Sequence, residues 1–322
     1  MIKIIFSAIG LIIGTSLYSQ NNEVVSNGGG DINNTTISLD QTIGELVVTD
    51  VTGPSTKLEQ GFQNTFIKVG LVLNAKVFLQ GPYNASLSLM NDNLRSLGLV
   101  PLKSPYIDVA TITDPTILNV TGDDAIVDWV FVEIRDRLVA ELVVDYKSGL
   151  LQKDGDIVDI DGTSLLKFNL MPGTYFVSVN HRNHLGVMSG NALLITKDGD
   201  SALDFTSNAF STNGNFAQAE LITGDMAMWA GDVNDNGQVR YLGPANDTNP
   251  IKDNILNPAF GNPTGSNFYA YIGYDNADIN MNGQVRYLGP GNDTNFLKDV
   301  VLSHPANTTS SNFFPFFVQI PN

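Results

Sequence analysis

The sequence predicts a mainly β protein, an antiparallel β-sandwich followed by a duplicated loop and short-helix module. Three observations carry this. Between 69 and 206, short alternating or apolar runs recur, separated by Gly, Pro and Asp turn signals. The stretch DVNDNGQVRYLGPANDTN at 232–249 returns nearly unchanged at 278–295, with NGQVRYLGP (236–244 and 282–290) and NDTN (246–249 and 292–295) identical. Each copy is followed by an apolar pattern at helical spacing.

Taken in order, residues 1–19 read as an export signal: Lys3 supplies the positive start, an apolar run follows to Leu17, and cleavage is expected after Ser19. That run is shorter than the roughly 20 apolar residues of a membrane-spanning helix, and no other stretch is long and apolar enough to be one. Residues 20–68 form a small Gly- and Thr-rich β unit. Strand-like residues at 36–51 and 57–66 offer it little core of its own, so it is expected to pair with the next domain or with a neighbouring subunit.

The sandwich is expected over 69–206. Residues 69–79 place Leu71, Leu73, Ala75, Val77 and Leu79 on one strand face. A short helix or turn is expected at 91–99. Residues 125–135 are apolar on both faces and should form a central strand, with another at 138–144. Asp154-Gly155, between 150–152 and 157–160, signals a type I′ hairpin. Pro172-Gly173, between 165–170 and 174–179, suits a type II turn. Strands at 192–195 and 202–205 close the set. Residues 207–225, rich in Asn, Ser and Gly, read as a linker to the repeats at 226–322.

The repeats have the chemistry of a calcium loop. A hard cation takes six to eight oxygen ligands at roughly 2.3–2.6 Å, and a short loop supplies them from alternate residues around a glycine turn. Asp232, Asn234 and Asn236 fill the first three places, Gly237 turns the chain, and Gln238 offers its carbonyl. Asp278, Asn280, Asn282, Gly283 and Gln284 do the same in the second copy. The acid that usually closes such a loop at its twelfth position is replaced by Gly243 and Gly289, so an enlarged loop closed by Asp247 and Asp293 is expected. Two carboxylates and two neutral amides per site imply weak binding, in the range of extracellular modules. Asn249 and Asn295 are the expected helix caps, with Pro250 in the first helical position. Ile251, Ile255 and Leu256, and Leu297, Val300, Val301 and Leu302, should form the buried faces. SNFYAYI (266–272) echoes SNFFPFF (311–317). Each unit is thus loop, helix and aromatic strand, and the two should pack about a pseudo-two-fold axis.

Loop plus exit helix, twice, resembles the dockerin type of calcium module over about 230–302. The segments VFLQGPYN, MNDNLRSLGLVPL, TGDDAIVDWVFVEIRD and HRNHLGVM, followed by MWAGD at 228–232, are similar to hemagglutinin-like surface proteins of Bacteroidota over about 70–300. The run from SLDQTIGELVVTD to LEQGFQ (38–63) resembles the start of exported proteins of such bacteria. These resemblances imply about two bound Ca²⁺ ions and a location outside a Gram-negative-type cell.

Composition narrows the function. A net charge of −16 leaves no basic footprint for nucleic acid. The absence of cysteine removes disulfides, thiol catalysis and cysteine-based zinc sites. His181 and His184, in HRNH, are expected in a hydrogen-bonded turn rather than a metal site. Asp154, Asp156, Asp159 and Asp161 are expected as turn and solvated strand residues, and Asp123-Asp124 as a turn. Trp129 is expected in the core and Trp229 half exposed. Tyr241 and Tyr287 should pack over the loops or offer aromatic faces to a partner. No catalytic motif stands out. The expectation is a secreted, calcium-stabilised surface protein that acts by binding a cell-surface glycan or protein. One alternative is a self-assembling fibre subunit that donates its N-terminal unit or its aromatic tail at 313–320 as a strand. A second is a glycan-directed hydrolase using paired carboxylates.

Overall fold

The computed structural model describes residues 70–321 together with the backbone of four short strands nearer the N-terminus. The expected signal at 1–19 lies outside the described residues. Residues 1–67 form one unit by contact, residues 68–322 another. In the first unit, strand β1 (Gly30–Asn33) pairs antiparallel with β2 (Ser38–Gln41), and β3 (Val51–Thr52) with β4 (Lys57–Leu58). Its hairpins fall within the expected β unit.

The second unit begins with β5 (Leu71–Lys76), whose strict alternation buries Leu71, Leu73 and Ala75; Val77 and Leu79 continue the buried row. A small hairpin, β6 (Tyr83–Asn84) and β7 (Leu89–Met90), leads to the single-turn helix α1 (Asn93–Ser96). Strand β8 (Ile126–Arg135) is central, as its two apolar faces require. It lies between β9 (Val143–Gln152) and β12 (Gly173–His181), in the sheet order β10-β9-β8-β12-β13 with β14 on β12. Here β10 is Ile157–Val158, β13 is His184–Met188 and β14 is Leu193–Ile195, and every pair is antiparallel. A second sheet has β5 between β11 (Leu166–Phe168), antiparallel, and β15 (Ala202–Asp204), parallel. Side chains of both sheets share one core, including Leu71, Leu73, Trp129, Val132, Ile134, Val177 and Leu203.

Several local expectations need correction. Gly155 has a φ of +92° but Asp154 has no positive φ, so the 152–157 hairpin is not type I′. The amide of Gly155 donates to Gln152 O and that of Gln152 to Asp156 O, the pattern of a tight turn followed by a left-handed glycine. Gly173 has ordinary backbone angles and simply opens β12, which excludes a type II turn at Pro172-Gly173. Residues 138–142 are turn, and the strand expected there starts at Val143.

The expected linker is packed. Strand β16 (Gln218–Glu220) pairs with β17 (Met226–Met228), Ala217 and Ala219 are buried, and Gln218 Nε2 donates to Phe205 O at 2.8 Å. After it come β18 (Gln238–Arg240), helix α2 (Thr248–Leu256), β19 (Ala270–Ile272), β20 (Gln284–Arg286), helix α3 (Asp293–Ser303) and β21 (Pro315–Phe317). The two repeats exchange strands. β19 of the first pairs with β20 of the second, Ala270 opposite Arg286, while β21 of the second pairs with β18 of the first, Pro315 opposite Arg240. Ile251, Ile255, Leu297, Val300 and Val301 fill the core between them with Val239, Val285 and Phe316. Leu256 and Leu302 are only half-buried.

This second core interlocks with the first. Leu185 from β13 belongs to the repeat core, and Met281 from the second loop belongs to the sheet core. Trp229, expected half exposed, is buried; its Nε1 donates to Phe216 O at 2.9 Å, and its ring packs on His304 and Phe316. Among the described residues no helix is long and apolar enough to cross a membrane.

Candidate metal centres

Each loop is wound around its first aspartate. Asp232 accepts the amides of Asn236 (Oδ1, 3.0 Å) and Gly237 (Oδ2, 2.9 Å). Asp278 accepts those of Asn282 (3.0 Å) and Gly283 (2.8 Å) in the same way. Such a tight wrap needs left-handed backbone at the turn, and Gly237 and Gly283 supply it at φ +72° and +84°. The next amides, of Gln238 and Gln284, bond the side-chain oxygens of Asn236 (2.9 Å) and Asn282 (2.8 Å). Both glutamines then open strands, β18 and β20. Asn280 Oδ1 also accepts the Asn282 amide at 3.1 Å, whereas Asn234 is exposed.

The distal acids close the loops on the opposite side. Asp247 accepts the amides of Val233 and Arg240, both at 2.9 Å, and Asp293 those of Ile279 (2.9 Å) and Arg286 (2.8 Å). Each acid therefore clamps the start of its loop to the strand after it. Each also stands at a helix start: Asp247 immediately precedes α2 and Asp293 is the first residue of α3, where the helix dipole favours a carboxylate. The helices begin earlier than expected, so Asn249 and Asn295 are not the caps. Asn246 Oδ1 accepts the Asn249 amide and Asn292 Oδ1 that of Asn295, while their Nδ2 groups donate to Gly243 O and Gly289 O. Pro250 accordingly sits inside the first turn of α2, not in its first position.

All four acids are buried, Asp247, Asp278 and Asp293 fully. None of the ion pairs among the described residues involves them. Burial raises the carboxyl of Asp232 to about 6 and that of Asp278 to about 6. Asp247 is pushed up to about 7 by burial and by the nearby charge of Asp232, against the pull of its amide donors. Asp293 rises well above the usual range by burial and the charge of Asp278. Two mutually repelling, desolvated carboxylates per loop are the electrostatic setting a divalent cation relieves. Among the described residues no group of three or more His, Cys, Asp or Glu is placed to hold a metal. A cation here would draw its remaining ligands from amide and carbonyl oxygens, as hard cations do.

The other acids and histidines serve different ends. Lys76 pairs with Asp154 (3.1 Å) and Asp156 (2.9 Å), Lys147 pairs with Asp159, and Asp161 accepts the amides of Thr163 and Ser164. The HRNH turn is a buried polar hub. Asp128 receives Arg182 Nε (3.0 Å), His181 Nε2 (3.2 Å) and the Tyr274 hydroxyl (2.7 Å). Burial opposes its ionisation, but Arg182 and these hydrogen bonds prevail and hold the carboxyl at about 2. Burial keeps His181 and His184 neutral by lowering both. The hub also grips the second loop: Arg182 Nη1 donates to Asp275 O, and Asn183 Nδ2 to Asn276 O (3.0 Å) and Asp278 O (2.9 Å). A single acid inside the apolar run IVDWVFV was the sequence signal for such a hub, since a buried charge must be paired.

A cleft of about 560 Å³ opens where the first loop meets the main sheet. It is lined by Glu133, Arg135 and Asn180 from the sheet, by His181 and His184, by Asp232, Asp235 and Asn236 from the loop, and by Val318 and Ile320 from the segment after β21.

Comparison of the chain with protein-family models, with curated proteins and with solved structures finds no match.

Proposed function

We propose that the chain is an exported, calcium-stabilised surface protein that works by binding, with the two sheets forming a β-sandwich and residues 226–322 a duplicated dockerin-like calcium module. The observation that carries this is the pair of buried carboxyls in each repeat, Asp232 with Asp247 and Asp278 with Asp293, none of them in an ion pair among the described residues. Without a cation, burying them costs folding free energy; with one, the same groups become a cross-link between loop, strand and helix. Weak sites of this kind suit the millimolar calcium found outside cells. The likeness to Bacteroidota surface proteins in HRNHLGVM and MWAGD supports the same reading. The fibre alternative would need β21, paired with β18 within the chain, to be exchanged with a neighbouring copy.

Calorimetric titration of the full chain with CaCl₂ tests the proposal. Uptake of about two ions with dissociation constants near 10⁻⁴–10⁻³ M is expected. Asp232→Ala and Asp278→Ala should each remove one of them. No heat of binding up to several millimolar calcium would overturn the reading.

A further inference from the structure

The described residues contain three Asn-Gly pairs, at 213–214, 236–237 and 282–283. In such a pair the glycine nitrogen can attack the asparagine carboxamide, because glycine has no Cβ to keep the two apart. The fold treats the three pairs differently. Asn213 is committed on both sides: its Nδ2 donates to Gln319 O and its amide to Met188 O. Asn236 and Asn282 share one local arrangement. Each accepts the amide two residues on, Gln238 (2.9 Å) or Gln284 (2.8 Å), which folds the carboxamide forward over the peptide linking it to its glycine. In each, the glycine amide points at the first aspartate of the loop, Asp232 Oδ2 (2.9 Å) or Asp278 Oδ2 (2.8 Å). Their surroundings differ. Asn282 is half-buried, its amide is held by Asp278 Oδ1 (3.0 Å) and Asn280 Oδ1 (3.1 Å), and Gly283 is buried against Leu97 and Leu99. Asn236 is exposed, and its Nδ2 makes one hydrogen bond among the described residues, at 3.5 Å with Ala245 O.

We propose that Asn236 is a site of spontaneous deamidation, that calcium in the first loop holds the reaction back, and that the product disables that loop; the calcium gate rests on the function proposed above. Gly237 N attacks Asn236 Cγ. Its proton passes by way of Asp232 to Nδ2, which departs as ammonia and leaves a five-membered succinimide. Water then opens the ring at one of its two carbonyls. Opening at Cγ gives aspartate. Opening at the main-chain carbonyl gives isoaspartate, in which the backbone runs through Cβ and is one carbon longer. That extra carbon falls where the amides of Asn236 and Gly237 wrap onto Asp232, so the oxygens of the loop no longer converge. Closing the ring also takes Asn236 out of the ligand set, so a bound cation raises the cost of reaching it. For dissociation constants of about 10⁻⁴–10⁻³ M, 5 mM calcium should slow the conversion roughly 6- to 50-fold. The second loop, with the same local chemistry, is protected by its packing, because local opening is costlier where the backbone is buried and held.

The test ages the full chain at pH 8 and 37 °C in 5 mM CaCl₂ or in EDTA. Peptide mapping by mass spectrometry locates each amide-to-acid conversion, and enzymatic methylation counts isoaspartate. In calcium, Asn236 should convert at least tenfold faster than Asn282. In EDTA, Asn236 should speed up by the factor above while Asn213, outside the loops, keeps its rate. Chain aged in EDTA and returned to calcium should take up one ion rather than two by calorimetry, and Asn236→Ser aged in the same way should still take up two. No conversion at Asn236, or equal conversion at Asn236 and Asn282 in calcium, overturns the site. An equal rate at Asn236 with and without calcium, or a rise shared by Asn213, which reports unfolding of the whole chain, overturns the gate. Unchanged uptake after ageing overturns the loss of the loop. Calorimetry on the fresh chain keeps this inference apart from the calcium reading. Uptake of about two ions with no conversion at Asn236 sinks only the deamidation site, while conversion confined to Asn236 without any uptake sustains that site and sinks the calcium module.

Discussion

The run NGQVRYLGP occurs at 236–244 and again at 282–290, with the same hydrogen bonds around the same first aspartate, yet the two copies live in different surroundings. The first lies beneath the chain's C-terminal segment, with Gly237 against Val318, Asn234 exposed, and Asp235 and Asn236 exposed at the cleft. The second is wedged into the sheet: Met281 is part of the main core, Gly283 packs against Leu97 and Leu99, and the hub holds the backbone of residues 275–278. Local sequence sets the geometry of a loop, while its neighbours decide whether that loop is a structural joint or an accessible surface. The second copy is a joint, and the first is the edge of the cleft.

The largest expected effect comes from cutting the joint. Arg182→Ala leaves Asp128 buried without its cation and releases Asp275, and should cost about 3–5 kcal/mol in urea unfolding. The same substitution should leave calcium uptake by the first loop intact; loss of both sites together would show that the loops are not independent. Next, at 2 mM calcium each site should add roughly 2 kcal/mol of stability for a dissociation constant near 10⁻⁴ M. Asp278→Ala should therefore lower the thermal midpoint more than Asp232→Ala, because it also leaves a void in the joint. Equal losses would erase the distinction between the copies.

A smaller effect concerns pH. The loop acids have folded values raised from the ordinary 3.8 to about 6 or 7. A raised carboxyl favours the fold while protonated, so this contribution is lost as pH rises from about 4 through 7. Calcium binds the ionised form, so the gap between the melting temperatures with calcium and with chelator should widen from pH 5 to pH 8. A constant gap would mean that these carboxyls are already ionised at pH 5. The smallest effect lies at the residue that separates the two identical runs of each copy. Ala245 has a left-handed φ of +53°, where the second copy has Gly291 at +65°. Ala245→Gly should stabilise by about 0.5–1 kcal/mol in chemical denaturation, and Gly291→Ala should destabilise by a similar amount.

Much of the fold was legible because it rests on periodicity. The odd-numbered row from Leu71 to Leu79 and the two-faced apolar run at 125–135 could only be an alternating strand and a central one. The repeats could be read because spacing recurs, and so could the return of Asp247 and Asp293 onto their own loops, seen here as acceptors of the Val233, Arg240, Ile279 and Arg286 amides. Partner choice between the repeats was not legible: SNFYAYI and SNFFPFF mark equivalent strands but do not say which loop each joins. A matched pair of staples also escaped notice. Asn262 Nδ2 donates to Ile255 O and Ser266 O, and Asn307 Nδ2 to Val301 O and Ser311 O, each tying helix end to aromatic segment. Residues 207–225 looked like a linker because they are small and polar, yet Ala217 and Ala219 are small enough to be covered by neighbours. The cleft was invisible for a different reason. Glu133, Asn180 and His184 lie on three strands, and only pairing register sets them side by side.

The exchange of strands between the repeats has a consequence for the order in which the molecule comes together. β18 can find its hydrogen-bonding neighbour only after the whole second repeat, through Phe317, has been synthesised. The upstream half must therefore wait, partly assembled, for the downstream half to reach back and latch it. A chain interrupted anywhere between 257 and 314 would leave that latch open, and two such fragments carrying complementary halves would be expected to recognise each other.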